Sequence, residues 1–251
     1  MGSKKVCILY LISGGKIIKE GYEFNSWYGY KANGLFQTQK DIDMAPTLGT
    51  QYPGDVRYVN IADAPGATPS INAEYDRTVL CSSLPHFNYG ATIDLFWKGI
   101  DFNMTIQGVG KRNGYLSDYM VQPLRGQVYN FPTYLANGAS WSYKNTIEQN
   151  RNAVYPRYSW TSGGSTSTVG NYAYSDYWII DGSYLRIKNI ALGYTFPSKW
   201  MNTIHVKDFR LGVTLSDFFT FSHYPVGWDP EVGATSYPIT KSVLFSASIK
   251  F

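Results

Sequence analysis

The chain has 251 residues, 17% of them aromatic and 16% charged, with 24 Gly, 12 Pro and a formal net charge of +4 at pH 7. A charge excess this small and scattered gives no argument for a nucleic-acid partner, and no segment approaches the roughly 20 apolar residues of a membrane-spanning helix. The charged share lies well below the roughly 25% of an average soluble domain, a deficit that strands alternating apolar and polar residues can carry into lipid.

Residues 1–19 stay unassigned. Lys4-Lys5 is followed by the apolar run Val6–Ile12 and by Ser13-Gly14-Gly15. That run is at the short end for a signal peptide, so an added start or a short strand is the better reading. A longer strand is expected over Ser26–Gln37. In Phe87–Trp97, Tyr89, Ala91, Ile93, Leu95 and Trp97 alternate with Asn88, Thr92 and Asp94. Lys98-Gly99 is a tight turn, after which Ile100, Phe102, Met104 and Ile106 alternate with Asp101, Asn103, Thr105 and Gln107. This is a hairpin with both apolar sets on one side.

The strand expected within Tyr174–Phe196 changes step. Leu185 and Ile187 are odd-numbered, whereas Ile190, Leu192, Tyr194 and Phe196 are even. A slip of one residue exchanges the faces. Either a bulge sits near Asn189 or the strand leaves the membrane there, and Arg186 and Lys188 favour the exit. Phe209, Leu211, Val213 and Leu215 next alternate with Asp208, Arg210, Thr214 and Ser216 within Phe209–Phe221. In the last ten residues Val243, Phe245, Ala247, Ile249 and Phe251 oppose Ser242, Leu244, Ser246, Ser248 and Lys250.

Six strands are thus expected, with a seventh possible in Lys4–Ile12. Lys98-Gly99 and Pro197–Lys207 are short links; Thr38–His86, Lys111–Tyr172 and Ser222–Lys241 are long. Alternating short and long links is the habit of outer-membrane barrels, whose outer loops are the long ones. The expected class is all-β: an antiparallel transmembrane β-barrel segment with long extracellular loops, its terminal strand facing lipid through Val243, Phe245, Ile249 and Phe251. The competing reading is a secreted, aromatic-rich β-sandwich that binds carbohydrate and turns the same alternation into a shared core.

Chemistry-bearing patterns are sparse. His86, His205 and His223 lack metal or catalytic spacing. Asp229 and Glu231 sit in a Pro-containing stretch that reads as a solvated turn. Ser162–Val169 lacks the Gly-Lys-Ser/Thr ending of a phosphate loop, and Cys7 and Cys81 define neither a metal site nor a disulfide. No catalytic residue, cofactor or metal is expected. Trp97, Tyr184, Tyr194, Phe196, Trp200 and Phe221 suit interfacial girdles. Trp141, Tyr143, Tyr158 and Trp160, in the longest link, are candidates for contact with a sugar or a partner, against the alternative that they pack on one another.

Seven blocks in order resemble the SusC/RagA-type TonB-linked outer-membrane transporters. They are Glu20–Gln37, Pro53–Val59, Leu84–Gly90, Asn152–Arg157, Asp181–Pro197, Phe219-Thr220-Phe221 and Gly227-Trp228-Asp229-Pro230-Glu231. The resemblance covers residues 20–251 and implies the C-terminal portion of a barrel of about 22 strands. The family's signal peptide, TonB box and plug find no counterpart, so the chain is expected to be a fragment without transport activity of its own. The resemblance further implies an outer-membrane location and glycan or peptide uptake. The partners it implies are a SusD-like surface lipoprotein, the TonB complex and the barrel-assembly machinery, which reads a terminal aromatic. Where relatives often carry an Asp/Gly-rich run, Asn60–Thr68 has one carboxylate, and no calcium site is carried over.

Overall fold

A computed structural model describes residues 10–122, 139–158, 170–202, 205–232 and 236–251. In chain order its strands are β1 (Leu11–Ser13), β2 (Lys16–Ile18), β3 (Ser26–Tyr30), β4 (Ala32–Leu35), β5 (Val56–Tyr58), β6 (Arg77–Cys81), β7 (Phe87–Trp97), β8 (Ile100–Gly110), β9 (Asn113–Tyr115), β10 (Ile179–Asp181), β11 (Tyr184–Thr195), β12 (Asp208–Ser222) and β13 (Ser242–Lys250). No helix among the described residues is long and apolar enough to cross a membrane, which says nothing about strands. The chain divides into two units, residues 1–84 with 113–180, and 85–112 with 181–251.

The first unit combines the strands that precede Gln37 with most of the links Thr38–His86 and Lys111–Tyr172. β1, β2, β3 and β6 form one antiparallel sheet, and β4 pairs with β5. Tyr30, Val56, Tyr58 and Ile71 make its core, the two tyrosine rings lying 5.1 Å apart. The long strand expected over Ser26–Gln37 is not continuous. It breaks at Lys31, and β3 and β4 pair in different sheets because Tyr30 turns into this core while the Ala32 amide donates to Asp176 Oδ1 at 2.7 Å. Helix α1 (Gln39–Asp43) starts at a reciprocal cap: the Asp41 amide donates to Thr38 Oγ1, and the Thr38 amide donates to Asp41 Oδ2. The seventh strand considered in Lys4–Ile12 lies largely outside the described residues. Its last two residues enter β1.

The second unit is one antiparallel sheet in the order β13-β12-β11-β8-β7. Its strands hold 9 to 15 residues, each at least as long as the 9–11 or so that a tilted strand needs to cross a bilayer. β7 and β8 meet through Lys98 and Gly99 at φ 46° and 87°. Two positive φ values mark the turn whose twist suits a two-residue hairpin. A Cβ at Gly99 would also stand 2.6 Å from the Thr195 carbonyl oxygen.

Pairing lines the apolar sets up across all five strands. Leu95 faces Phe102, which faces Leu192; Leu192 faces Val213, which faces Phe245. On this face Leu95 is 60% and Phe245 80% exposed. A sandwich would bury such a face against a second sheet, so the competing β-sandwich reading does not hold.

β11 does not leave the sheet at its change of step. It runs unbroken from Tyr184 to Thr195, and both neighbours slip register between Ile187 and Asn189. Against β8, Lys188 is the extra residue of a bulge, and against β12 it stands opposite two residues, Asp217 and Phe218, so there the extra residue is on β12. Ile187 therefore pairs with Ile106 and Ile190 with Met104, both on the apolar side, while Arg186 pairs with Gln107 and Thr220 on the polar side. The expected exit is thus replaced by a bulge. It costs one unpaired residue, whereas an uncorrected slip would turn every later side chain to the wrong face. The strand expected from Tyr174 begins only at Tyr184, since Asp176–Trp178 forms a 3-10 turn.

Candidate functional site

Within the first unit the motif blocks converge on Asp55, which is 1% exposed. Arg157 Nε donates to Asp55 Oδ1 at 2.7 Å, Asn171 Nδ2 donates to the same oxygen at 2.8 Å, and the Tyr52 amide donates to Oδ2 at 2.8 Å. Asn171 Oδ1 in turn accepts from the Val56 amide at 2.7 Å. A buried carboxylate is tolerable only with such partners. The Pro53-Gly54-Asp55 turn is thereby fastened to residues more than 100 positions later. Tyr58 donates its hydroxyl to the Gly170 carbonyl, and burial pushes its pKa up, as it does for Tyr172. Burial likewise raises the Cys81 thiol to about 11, which leaves it protonated and unreactive at neutral pH.

The loop aromatics divide. Trp141 is 3% exposed: its ring lies over Gly54, where a Cβ would stand 2.4 Å from it, and its Nε1 donates to Gln37 Oε1 at 3.3 Å. Gly54, at φ 92°, is thus held by both backbone and packing. Tyr143 meets the Trp141 ring edge-on at 4.7 Å and is 76% exposed, and Tyr158 is 38% exposed. Trp160 lies outside the described residues.

In the second unit the polar face carries two charge clusters. Towards the hairpin turn, Arg210 Nε donates to Asp101 Oδ1 at 3.0 Å, passing over Gly193. A Cβ there would stand 2.2 Å from the guanidinium. At the other end Arg186, 1% exposed, donates to Thr220 Oγ1 at 3.0 Å and to Asp229 Oδ2 at 2.7 Å. Glu231 approaches the same guanidinium at 3.4 Å and Lys188 at 3.1 Å, and Asp217 stands 3.3 Å from Lys188. Asp229 and Glu231 are therefore not merely a solvated turn. They neutralise a buried cation, and the bulge at Lys188 is what puts both cations on this side. Spacing along the chain did not expose the pairing, because the partners stand 43 residues apart; the abundance of charge in two of the motif blocks was the one available signal.

The apolar face is banded by aromatics. At the turn end, the Tyr194 and Phe196 rings lie 4.9 Å apart and Phe196 and Phe209 5.2 Å apart, beside Trp97. At the far end, Phe87 and Tyr89 lie 6.1 Å apart on the same face as Phe221. Val243, Phe245 and Ile249 pair with Leu215, Val213 and Phe209 on this face. They are 48%, 80% and 53% exposed, and Phe251, just past the end of β13, is 78% exposed. Of the histidines, His223 stands with its Nδ1 3.5 Å from Asp181, both side chains exposed. Among the described residues no group of three His, Cys, Asp or Glu is placed to hold a metal.

No protein-family model matches the chain. It is 30% identical to TonB-dependent receptor P3 of Formosa agariphila over 218 residues, 86% of this chain and 19% of that protein. It is 34% identical to TonB-dependent receptor SusC of Bacteroides thetaiotaomicron over 139 residues, 51% of this chain and 13% of that one. The chain thus spans about a fifth or less of the length of these curated relatives. In fold it is similar to a chain of the RagAB peptide transporter, with a TM-score of 0.67 at 19% identity, covering 97% of this chain and 24% of that one. The closed-closed state of the RagAB peptide importer gives 0.66 at 21% identity, with 96% and 25% covered. The relatives and the fold, together with the ordered motif blocks, place the chain in the SusC/RagA-type TonB-dependent receptor family.

Proposed function

We propose that the five-stranded sheet is a stretch of transmembrane wall in an outer-membrane TonB-dependent importer of glycans or peptides. The observation that carries this is the continuous apolar face across β7, β8, β11, β12 and β13, banded by aromatics at both ends and left exposed. Lipid is the solvent that makes such a face favourable. The short links at Lys98-Gly99 and Pro197–Lys207 then lie in the periplasm and the long ones outside. The polar face, with Arg186 and Arg210 paired to carboxylates, borders the lumen. Tyr143 and Tyr158 meet cargo or a SusD-like lipoprotein, with Trp141 as the buried support of Tyr143. Coupling to TonB falls to parts of the receptor that this chain does not span, and the barrel-assembly machinery inserts the wall. The role is structural and transport-related, not enzymatic.

Single cysteines test the direction. With Cys7 and Cys81 replaced by Ser, Tyr143→Cys should react with an impermeant maleimide on intact cells and Lys199→Cys only after lysis. The opposite pattern reverses the topology.

A further inference from the structure

The end of the sheet away from the hairpin turn holds a cavity of about 620 Å³. Its floor is apolar: Phe87, Tyr89, Leu185 and Phe221 all belong to the exposed apolar face. Gly108 and Gly110 on β8 make room for it, since a Cβ at either would stand within 2.2 Å of the Tyr89 or Phe87 ring. Its rim is polar, formed by Lys111, Ser183, His223 and Asp181. The rim carboxylate is already engaged. Asp181 Oδ1 accepts from the Ser183 amide at 2.9 Å and the Ser183 hydroxyl at 2.6 Å, and Oδ2 stands 3.5 Å from His223 Nδ1. Lys111 is the opposite case. It is exposed, sits in the left-handed region at φ 47°, and its ammonium has no carboxylate partner among the described residues.

Depth gives this combination its meaning. Eleven residues of β7, at about 3.3 Å each and tilted by about 40°, rise some 28 Å, roughly the height of a barrel's apolar band. If the Trp97 end is at one interface, the cavity lies at the other, with its aromatic floor in hydrocarbon and its cationic rim among headgroups. We propose that this cavity is a specific site for a phosphorylated glycolipid of the outer leaflet. Its phosphate pairs with Lys111, whose ammonium is the rim cation left without a carboxylate, and its acyl chains run down over Leu185 and Phe221. The proposal rests on the membrane reading above.

Native mass spectrometry of the full chain, taken from outer membranes in mild detergent and stripped of lipid, tests it with bisphosphorylated lipid A as the probe. Saturable retention of lipid A is expected, with about tenfold less retention of its dephosphorylated form and no competition from millimolar inorganic phosphate. Lys111→Glu should lower retention about tenfold and Lys111→Arg should preserve it. Lys98→Glu, the matched charge change at the opposite end of β7, should leave it unchanged. Equal retention by the wild type and Lys111→Glu, or equal retention of the two lipid forms, overturns the site. Effective competition by inorganic phosphate also overturns it, because it would mean a simple anion site. Loss with Lys98→Glu in place of Lys111→Glu also overturns the site, because the lipid would then be held at the opposite end of β7. A chain that stays monodisperse without detergent overturns the membrane reading itself, so the two failures are separable.

Discussion

Arg186 Nη2 donates to Asp229 Oδ2 at 2.7 Å, so a guanidinium buried on the polar face of β11 is neutralised by a carboxylate brought back from the Gly227–Glu231 loop. Arg112 reinforces the return by donating to the Pro230 carbonyl at 3.0 Å. Removing one member of a buried pair leaves the other charge uncompensated, which costs about 3–5 kcal/mol. Arg186→Met should therefore lower the unfolding midpoint in detergent strongly and expose the loop to protease. Adding Asp229→Leu should recover part of that loss. A single variant as stable as the wild type would show that the pair contributes nothing.

The outward direction of the terminal strand is tested by two neighbouring substitutions. Phe245 lies on the apolar face opposite Val213, and Ser246 faces the other way opposite Gly212. A lysine at the midplane of a lipid-facing surface costs about 2–4 kcal/mol. In a full-length parent receptor, Phe245→Lys should therefore reduce the folded fraction in outer-membrane preparations, measured by heat-modifiable gel mobility, far more than Ser246→Lys. Equal assembly of the two would refute the face assignment.

Two glycines separate a rigid obstacle from a yielding one. At Gly99 a Cβ meets the Thr195 backbone oxygen at a positive φ, and neither can move cheaply. At Gly193 it meets the flexible ends of Arg210 and Asp101, which are 41% and 34% exposed. Their pair is worth at most about 1 kcal/mol in such a setting, whereas strain at a left-handed position costs about 1–3 kcal/mol. Denaturant midpoints should fall more for Gly99→Ala than for Gly193→Ala.

Asp55 should be intolerant of losing Arg157. The Asp55 side chain is 2% exposed and that of Arg157 18%, so Arg157→Met strands a buried carboxylate beside Tyr52 and Asn171. We expect a loss of about 3 kcal/mol or more, with Trp141 fluorescence shifting to the red as the ring is released from Gly54. Arg157→Lys keeps charge but not the fork and should fall between the two. An unshifted emission in Arg157→Met would separate the ion pair from the aromatic packing.

Acid should loosen helix α1 before the rest of the first unit. Hydrogen bonds from the Thr38 side chain and amide hold the Asp41 carboxyl below the usual range. The folded pKa is depressed, so the stabilisation is present above the unfolded value of about 3.9 and disappears as pH falls through the folded one. Amide exchange at Asp41 and Met44 should rise in that window, and Asp41→Asn should remove the pH dependence. An acid response unchanged in Asp41→Asn would place its origin elsewhere.

Local alternation along the chain determined which residues of β7, β8, β12 and β13 share a face and where the first hairpin turns, because a period of two is a property of each strand by itself. The motif order likewise carried the family. Other features belonged to the tertiary structure. Leu185, Ile187 and Ile190 are equally compatible with a bulge or an exit, and only pairing with β8 and β12 at once selects the bulge at Lys188. Ser26–Gln37 reads as one strand until Tyr30 has a core to enter. Asp229 reads as a solvated turn until Arg186 is placed beneath it, and Trp141 reads like Tyr143 until Gly54 covers its ring. Each of these outcomes depends on a partner distant in sequence, and the free energy of burying a charge or a ring is defined only once that partner is in place.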